Sequence, residues 1–243
     1  MKNITEKHSS LSRRNLLSLL GSSAAITMVG DLHAQTSPSL VETIPTCVVV
    51  PQQTEGPYFV DEKLQRSDIR SDPADGSARP GLPLTLSMQL SAINGASCSP
   101  LVGAVVDVWH NDAHGEYSDV RDRRYDNRGN KFLRGYQRSD ANGQVTFTTI
   151  YPGWYPGRTV HIHFKVRTDP ESRRGLEFTS QLYFDDTITD QVHLMPAYVD
   201  NGQRSTRNNN DRIFRRGGSE LMLQLDEDNS AYSASFNLGL KIS

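Results

Sequence analysis

The chain has 243 residues, with 26 Lys and Arg against 28 Asp and Glu and a formal net charge of −2. Its basic residues are scattered, which argues against nucleic acid or an anionic membrane surface as a partner. No flavin, nicotinamide or haem motif occurs, and the two cysteines, Cys47 and Cys98, fit no metal-ligand spacing.

Ser12-Arg13-Arg14-Asn15-Leu16-Leu17 is a twin-arginine pattern, followed by the apolar, small-residue run Leu16 to Val29 and a cleavage point after Ala34. Residues 1–34 are therefore read as a twin-arginine signal peptide and residues 35–243 as one domain. The competing reading is a basic tail with a chance arginine pair. The apolar run is too short and too polar for a membrane span, which needs about 20 apolar residues. Export would place the protein in the periplasm or outside the cell, with no stable membrane association after the leader is removed. In that compartment Cys47 and Cys98 can pair, for roughly 4 kcal/mol of loop entropy, or remain as two buried thiols; the sequence leaves both open.

Beyond the leader, alternating apolar positions recur at Leu84, Leu86, Met88 and Leu90; at Ala104, Val106 and Val108; at Val145 and Phe147; at Leu182 and Phe184; at Leu221, Leu223 and Leu225; and at Tyr232, Ala234, Phe236 and Leu238. Such alternation predicts half-buried strands. Turn signals at Asp140-Ala141-Asn142-Gly143, Pro152-Gly153, Asn201-Gly202 and Gly217-Gly218 separate them, and no long amphipathic helix is indicated. Many short strands with this punctuation predict an all-β, two-sheet sandwich. Segments 65–83 and 201–216, polar and rich in Gly, Pro and Asn, are expected to be long surface loops.

The stretch Tyr155 to Val166 carries the chemistry. On a strand, Val160, Ile162, Phe164 and Val166 share one face, and His161 and His163 project from the other. Two imidazoles side by side on a rigid element can chelate a metal; an edge strand with solvated histidines is the bland alternative. Tyr155 just upstream and Tyr117 further back decide between them. A Tyr/Tyr/His/His donor set combines hard anionic phenolates with imidazoles, which suits ferric iron better than zinc or cuprous copper.

With these residues the sequence resembles the intradiol ring-cleavage dioxygenases, non-haem iron enzymes that open catechols between their two hydroxyls. The matching segments are Thr54 to Phe59, Gly103 to Trp109 leading to Tyr117, Thr149 to Tyr155, Arg158 to Phe164, and Gln181 to Phe184. The resemblance runs from about Cys47 to the C-terminus. It implies a transthyretin-like β-sandwich core and an Fe(III) ion held by Tyr117, Tyr155, His161 and His163. It also implies an aromatic diol and O2 as partners in the reaction and a muconate-type dicarboxylate as product. Tyr155 would serve as both ligand and general base, Arg158 would stabilise negative charge developing on the substrate ring, and Gln181 would touch substrate or intermediate. Tyr151, the rival for the second tyrosine, would pack or line the pocket. Two departures from the better-known catechol enzymes stand out: no helical N-terminal dimerisation domain, and only five residues between Tyr155 and His161. The second implies a more open site. A homo-oligomer is compatible with such a sandwich, and the sequence gives no state.

Two other function classes remain at this point. One is a zinc or copper enzyme using His110, His114, His161 and His163, the first two at i, i+4 spacing but in a loop-like context. The other is a transthyretin-like carrier or binding module whose tyrosines merely pack.

Overall fold

The computed structural model describes residues 47–172, 175–228 and 230–242. The expected leader, residues 1–34, lies outside the described residues. Nine strands and one short helix form: β1 Pro83–Asn94, β2 Ser97–Pro100, β3 Val105–Trp109, β4 Arg134–Arg138, β5 Gln144–Ile150, β6 His161–Arg167, β7 Glu177–Tyr183, α1 Asp186–Val192, β8 Gln224–Asp228 and β9 Ala231–Lys241.

They make two sheets, as the alternation predicts. In the first, β9 runs parallel to β1 and antiparallel to β8, and the other side of β1 pairs with β5 along Pro83–Gln89 and with β2 along Ser91–Asn94. The second sheet has the order β4-β3-β6-β7, all antiparallel. Leu84, Leu86, Met88 and Leu90 of β1, Phe147 of β5 and Ala234, Phe236 and Leu238 of β9 share one core with Val106 and Val108 of β3, Ile162, Phe164 and Val166 of β6 and Leu182 of β7. Truncating a member such as Phe164 to Ala would cost about 3–5 kcal/mol.

The strand sequences differ in what covers their other face. On β1, Thr85 is exposed and Ser87 and Gln89 are half-buried, the usual pattern of a sheet with one wet face. Every residue of β3 is buried, and so is β6 up to Val166. The outer face of the second sheet is therefore covered, and β6 lies inside it between β3 and β7. This removes the edge-strand reading of the two histidines: His161 and His163 are 0% and 2% exposed.

The cover consists of chain between the strands. The segment from residue 47 starts against the first sheet, through the Cys47–Cys98 disulfide to β2 and the Val48 carbonyl on Gly239 N of β9, and from about residue 51 to 66 it lies across the outer face of the second, held by the Lys165–Glu55 ion pair and by Arg167 Nη1 on Asp61 at 3.2 Å. Residues 65–82 form a loop as expected, with Pro83 already in β1, and residues 201–216 form another that includes a 3-10 turn, Asn208–Asn210; each sends side chains inward, Ile69 from the first and Asn208 and Asp211 from the second. Two expectations shift. Leu221 sits in a 3-10 turn, Gly218–Leu221, and Leu223 precedes β8. The helix α1, unmarked by periodicity because it has only two turns, is opened by Asp185, whose carboxylate accepts from Thr187 N and Ile188 N.

Candidate metal centre

The register of the second sheet builds the floor of the site. Trp109 of β3, His163 of β6 and Gln181 of β7 lie in one cross-strand row, and His161 pairs with Tyr183 in the next. Adjacent same-face residues on a strand bring the two imidazoles together, with Nε2 to Nε2 at 3.0 Å. Two nitrogen ligands at about 2.1 Å from a common ion and near right angles would have about this separation.

The tautomer of His161 follows from its neighbour. Nδ1 lies 2.6 Å from the carbonyl of Thr159; a carbonyl only accepts, so Nδ1 carries the hydrogen and Nε2 presents a lone pair. The His163 ring is stacked on Trp109, with centroids 4.9 Å apart and planes 7° from parallel. That stacking fixes its orientation.

Two loops deliver the tyrosines. Tyr117 stands on the loop after β3, fully buried, its ring 5.8 Å from that of Tyr155 and 6.3 Å from that of His163. Its buried hydroxyl makes no hydrogen bond of ordinary geometry, and its polar neighbour is the Tyr155 hydroxyl. Tyr155 stands on the turn before β6, half-buried, its hydroxyl 3.3 Å from His161 Nε2. The loops meet backbone to backbone where glycine is required. A Cβ on Gly153 would lie 2.3 Å from the Ala113 carbonyl oxygen, and one on Gly115 would lie 2.1 Å from the Trp154 carbonyl oxygen. Tyr151 points elsewhere: its hydroxyl pairs with Thr189 Oγ1 at 2.7 Å and its ring packs on Phe184.

Arg158 is held on three sides. Nε donates to Asp211 Oδ2 at 2.8 Å and Nη2 to Gln181 Oε1 at 2.6 Å, while Nη1 lies 3.4 Å from His161 Nε2. Gln181 Nε2 also donates to the Thr54 carbonyl at 2.8 Å, and Oε1 also accepts from the Tyr183 hydroxyl at 3.1 Å. It supports Arg158 and keeps a second Nε2 hydrogen for the expected substrate contact.

Sequence reasoning missed four contributors. Tyr58 stacks on Tyr117 at 4.6 Å and donates its hydroxyl to Asp122 Oδ2 at 2.9 Å. Trp109 backs His163. Buried Arg134 joins the walls: it donates to Ser118 Oγ at 2.8 Å, to the Ser118 carbonyl, and to the Tyr58 carbonyl at 3.3 Å. Asp211 holds Arg158. Tyr58 and Trp109 lay within matched segments and were within reach of sequence reading; Arg134 and Asp211 carry no periodic signal.

The electrostatics test whether a cation fits. Burial pushes the Tyr117 phenol well above its ordinary value, with the Tyr155 phenol adding to the rise. Tyr155 is also raised by burial, with Arg158 opposing. Burial holds both His161 and His163 well below theirs, and Arg158 adds to the effect. The polypeptide alone thus keeps all four groups neutral. Two phenols and two neutral imidazoles whose Nε2 atoms converge fit a hard, highly charged ion that would turn the phenols into phenolates.

The zinc or copper reading lacks its ligands. His110 has both nitrogens engaged, by the Asn111 carbonyl at 2.8 Å and Thr149 Oγ1 at 2.6 Å, and His114 is exposed. Among the described residues, no three His, Cys, Asp or Glu side chains gather to hold a metal. No described helix is long and apolar enough to cross a membrane.

Comparison with known proteins agrees with this geometry. A family model described as "Dioxygenase" matches residues 54–209. The chain is 28% identical over 149 residues to a chlorocatechol 1,2-dioxygenase of Pseudomonas sp. (strain P51), covering 54% of each chain. It spans about half the length of the curated relatives it matches. An intradiol ring-cleavage dioxygenase from Tetranychus urticae superposes with a TM-score of 0.68 at 30% identity, over 80% of this chain and 95% of that one. The dioxygenase domain of a dioxygenase and carbohydrate-binding fusion from Streptomyces sp. SirexAA-E gives 0.57 at 28%, over 81% and 100%. On the family match and these structural likenesses, the chain belongs to the intradiol ring-cleavage dioxygenases.

Proposed function

We propose that the protein is a ferric, non-haem dioxygenase that cleaves a catechol-type diol between its hydroxyls, placing both atoms of O2 in a muconate-type dicarboxylate. The single observation that supports this most is the convergence of Tyr117, Tyr155, His161 and His163, with the two Nε2 atoms 3.0 Å apart, the Tyr155 hydroxyl 3.3 Å from His161 Nε2 and the buried Tyr117 hydroxyl facing that of Tyr155. These four residues would hold the iron. When bound, the ion supplies a Lewis acid that makes phenolates and catecholates stable at neutral pH.

The residues around it divide the remaining work. With the ion held, fully buried Tyr117 would remain its phenolate ligand, and Tyr155, only half-buried, would be the one whose Oη takes a proton from a substrate hydroxyl. Arg158, beside Tyr155 and His161, offers fixed positive charge where the catecholate and later the oxygenated ring carry negative charge. Trp109 and Tyr58 keep His163 and Tyr117 from turning. Export along the twin-arginine route, with folding and metal loading before translocation, is part of the same proposal and rests on residues 1–34.

Colour is the test. The purified protein should be red-brown from phenolate-to-ferric charge transfer, and the band should shift when catechol is added without oxygen. Tyr155→Phe should change the resting band and slow formation of the catechol complex, and Tyr151→Phe should change neither. A colourless protein retaining stoichiometric zinc refutes the reading, and bleaching by Tyr151→Phe alone moves the second tyrosine ligand to Tyr151.

A further inference from the structure

The geometry points to Asp211 as a positioning residue for the reaction, one that acts through Arg158 from a loop beyond the residues the family model matches. Asp211 is 1% exposed, and its two carboxylate oxygens have separate tasks. Oδ1 accepts from Ile213 N at 2.7 Å and Phe214 N at 2.9 Å, which opens the turn that follows. Oδ2 accepts from Arg158 Nε at 2.8 Å and from Thr159 N at 2.8 Å. One side chain therefore holds its own loop and grips two consecutive residues of the segment between Tyr155 and His161.

The grip decides where the guanidinium faces. With Nε on Asp211 and Nη2 on Gln181, the planar fork has no rotational freedom, and Nη1 is left directed at His161. Remove Asp211 and the Nε side of the fork is free, while Gln181 alone permits rotation about a single hydrogen bond. A charge that must meet developing negative charge on the substrate loses effect steeply when misplaced, because an approach of 1 Å can be worth a large factor in rate.

A second consequence is charge balance. Arg158 would otherwise be an unpaired, largely buried cation 3.4 Å from the His161 imidazole. Paired with Asp211 it is neutral overall, yet its Nη1 edge still presents donor hydrogens toward the site. The carboxylate is held below its ordinary range: burial would raise it, but the Arg158 charge and the backbone donors prevail.

The loop that carries Asp211 is tied to the same network from its far side. Gln53 Nε2 donates to the Ile213 carbonyl at 3.2 Å, and its Oε1 accepts from the Tyr183 hydroxyl, which also reaches Gln181. The support of Arg158 thus closes on itself through Asp211, the loop, Gln53, Tyr183 and Gln181.

This inference rests on the charge-stabilising role given to Arg158 above, and a double-mutant cycle separates the two. The variants are Asp211→Asn, Arg158→Ala and the pair, each loaded with iron and assayed for catechol turnover, for the visible band and for the spectrum of the oxygen-free catechol complex. Asp211→Asn should keep the resting band, alter the spectrum of the catechol complex and lower kcat roughly 10- to 100-fold. In the Arg158→Ala background it should lower kcat by less than about twofold. Asp211→Ser, which can still cap Ile213 N and Phe214 N but cannot reach Arg158, should lower kcat as much as Asp211→Asn. It serves as the test if Asp211→Asn fails to fold. An Asp211→Asn loss of the same size in both backgrounds, an unchanged kcat, or full activity in Asp211→Ser overturns the inference. If Arg158→Ala alone leaves kcat unchanged while the red-brown band and ring cleavage persist, the role of Arg158 falls and this inference with it, but the ferric dioxygenase reading stands.

Discussion

Breaking the Cys47–Cys98 disulfide should lower stability without dismantling the site. The bridge joins residues 51 apart in sequence and pins the first described residue to β2. A closed loop of that length removes roughly 4 kcal/mol of unfolded-state entropy at 25 °C. For a domain of this size 1 kcal/mol moves Tm by about 2–4 °C, so Cys47→Ser with Cys98→Ser should lower Tm by about 8–16 °C. The segment behind the bridge has other ties: Gly239 N to the Val48 carbonyl at 2.6 Å, Gln53 N to the Thr179 carbonyl at 2.9 Å, the Lys165–Glu55 pair, and Gly56 against His163. Site geometry should survive below the new Tm, with the visible band and the turnover at 25 °C changed by less than about twofold. Calorimetry on oxidised protein, reduced protein and the double variant makes the measurement. A drop under about 3 °C would refute the entropy argument. Loss of colour at 25 °C would show that the bridge, rather than the ties further along, holds the segment over the site.

Two more outcomes follow from close packing and burial. Gly153→Ala drives a Cβ into the Ala113 carbonyl and should part the Tyr155 turn from the Tyr117 loop, lowering bound iron and the visible band; Gly76→Ala, which strains a positive φ that Gly153 does not have but lies in open space away from the site, should do neither, and equal iron content in both variants would sink the idea. Burial also holds the His110 imidazole down at about 4. Between about pH 6.5 and 4 the unfolded chain takes up a proton that the folded chain refuses, so stability present at neutral pH is lost on acidification, by at most about 3 kcal/mol. His110→Gln should flatten the change in urea midpoint between pH 7 and pH 5, and an unchanged slope would show that other groups carry it.

What could be read from the chain followed periodicity. The alternation in β1, β3, β6 and β9 gave two sheets because each apolar residue has a core to face, and the same alternation put His161 and His163 together on the opposite side. What escaped was whatever depended on cover. The sequence of β6 looks like a strand with one wet face, and only the folded chain shows segments 51–66 and 201–216 lying over it. Asp211 shows the same limit: an aspartate after three asparagines reads as a polar loop, and its value comes from a contact with Arg158 53 residues away. The helix α1 was too short for a hydrophobic stripe, and β2 and β4 are strands by pairing alone, held by their neighbours rather than by an apolar pattern.

Burying that outer face poses an energetic problem, because the strands present Asp107, Lys165 and Arg167 there as well as the histidines. Charge on a covered sheet face is costly unless it is paired. Each of these charges has a partner: Lys165 pairs with Glu55, and Arg167 with Asp107 at 2.8 Å and with Asp61. Arg158, over the same face, pairs with Asp211. Of the seven buried side-chain atoms without a hydrogen bond of ordinary geometry among the described residues, Glu62 Oε1, Arg79 Nε, Asn111 Oδ1 and His193 Nδ1 lie apart, while Trp109 Nε1, Tyr117 Oη and His163 Nδ1 share one cluster of rings. The charges on the covered face are paired, and the polar atoms that are not cluster around the converging phenols and imidazoles. Sequences that specify one structure break their own rules mainly where function requires it. The Tyr117 hydroxyl, sealed from water with the Tyr155 phenol for a polar neighbour, is an atom whose burial is hard to explain by packing and easy to explain as a ligand to a cation.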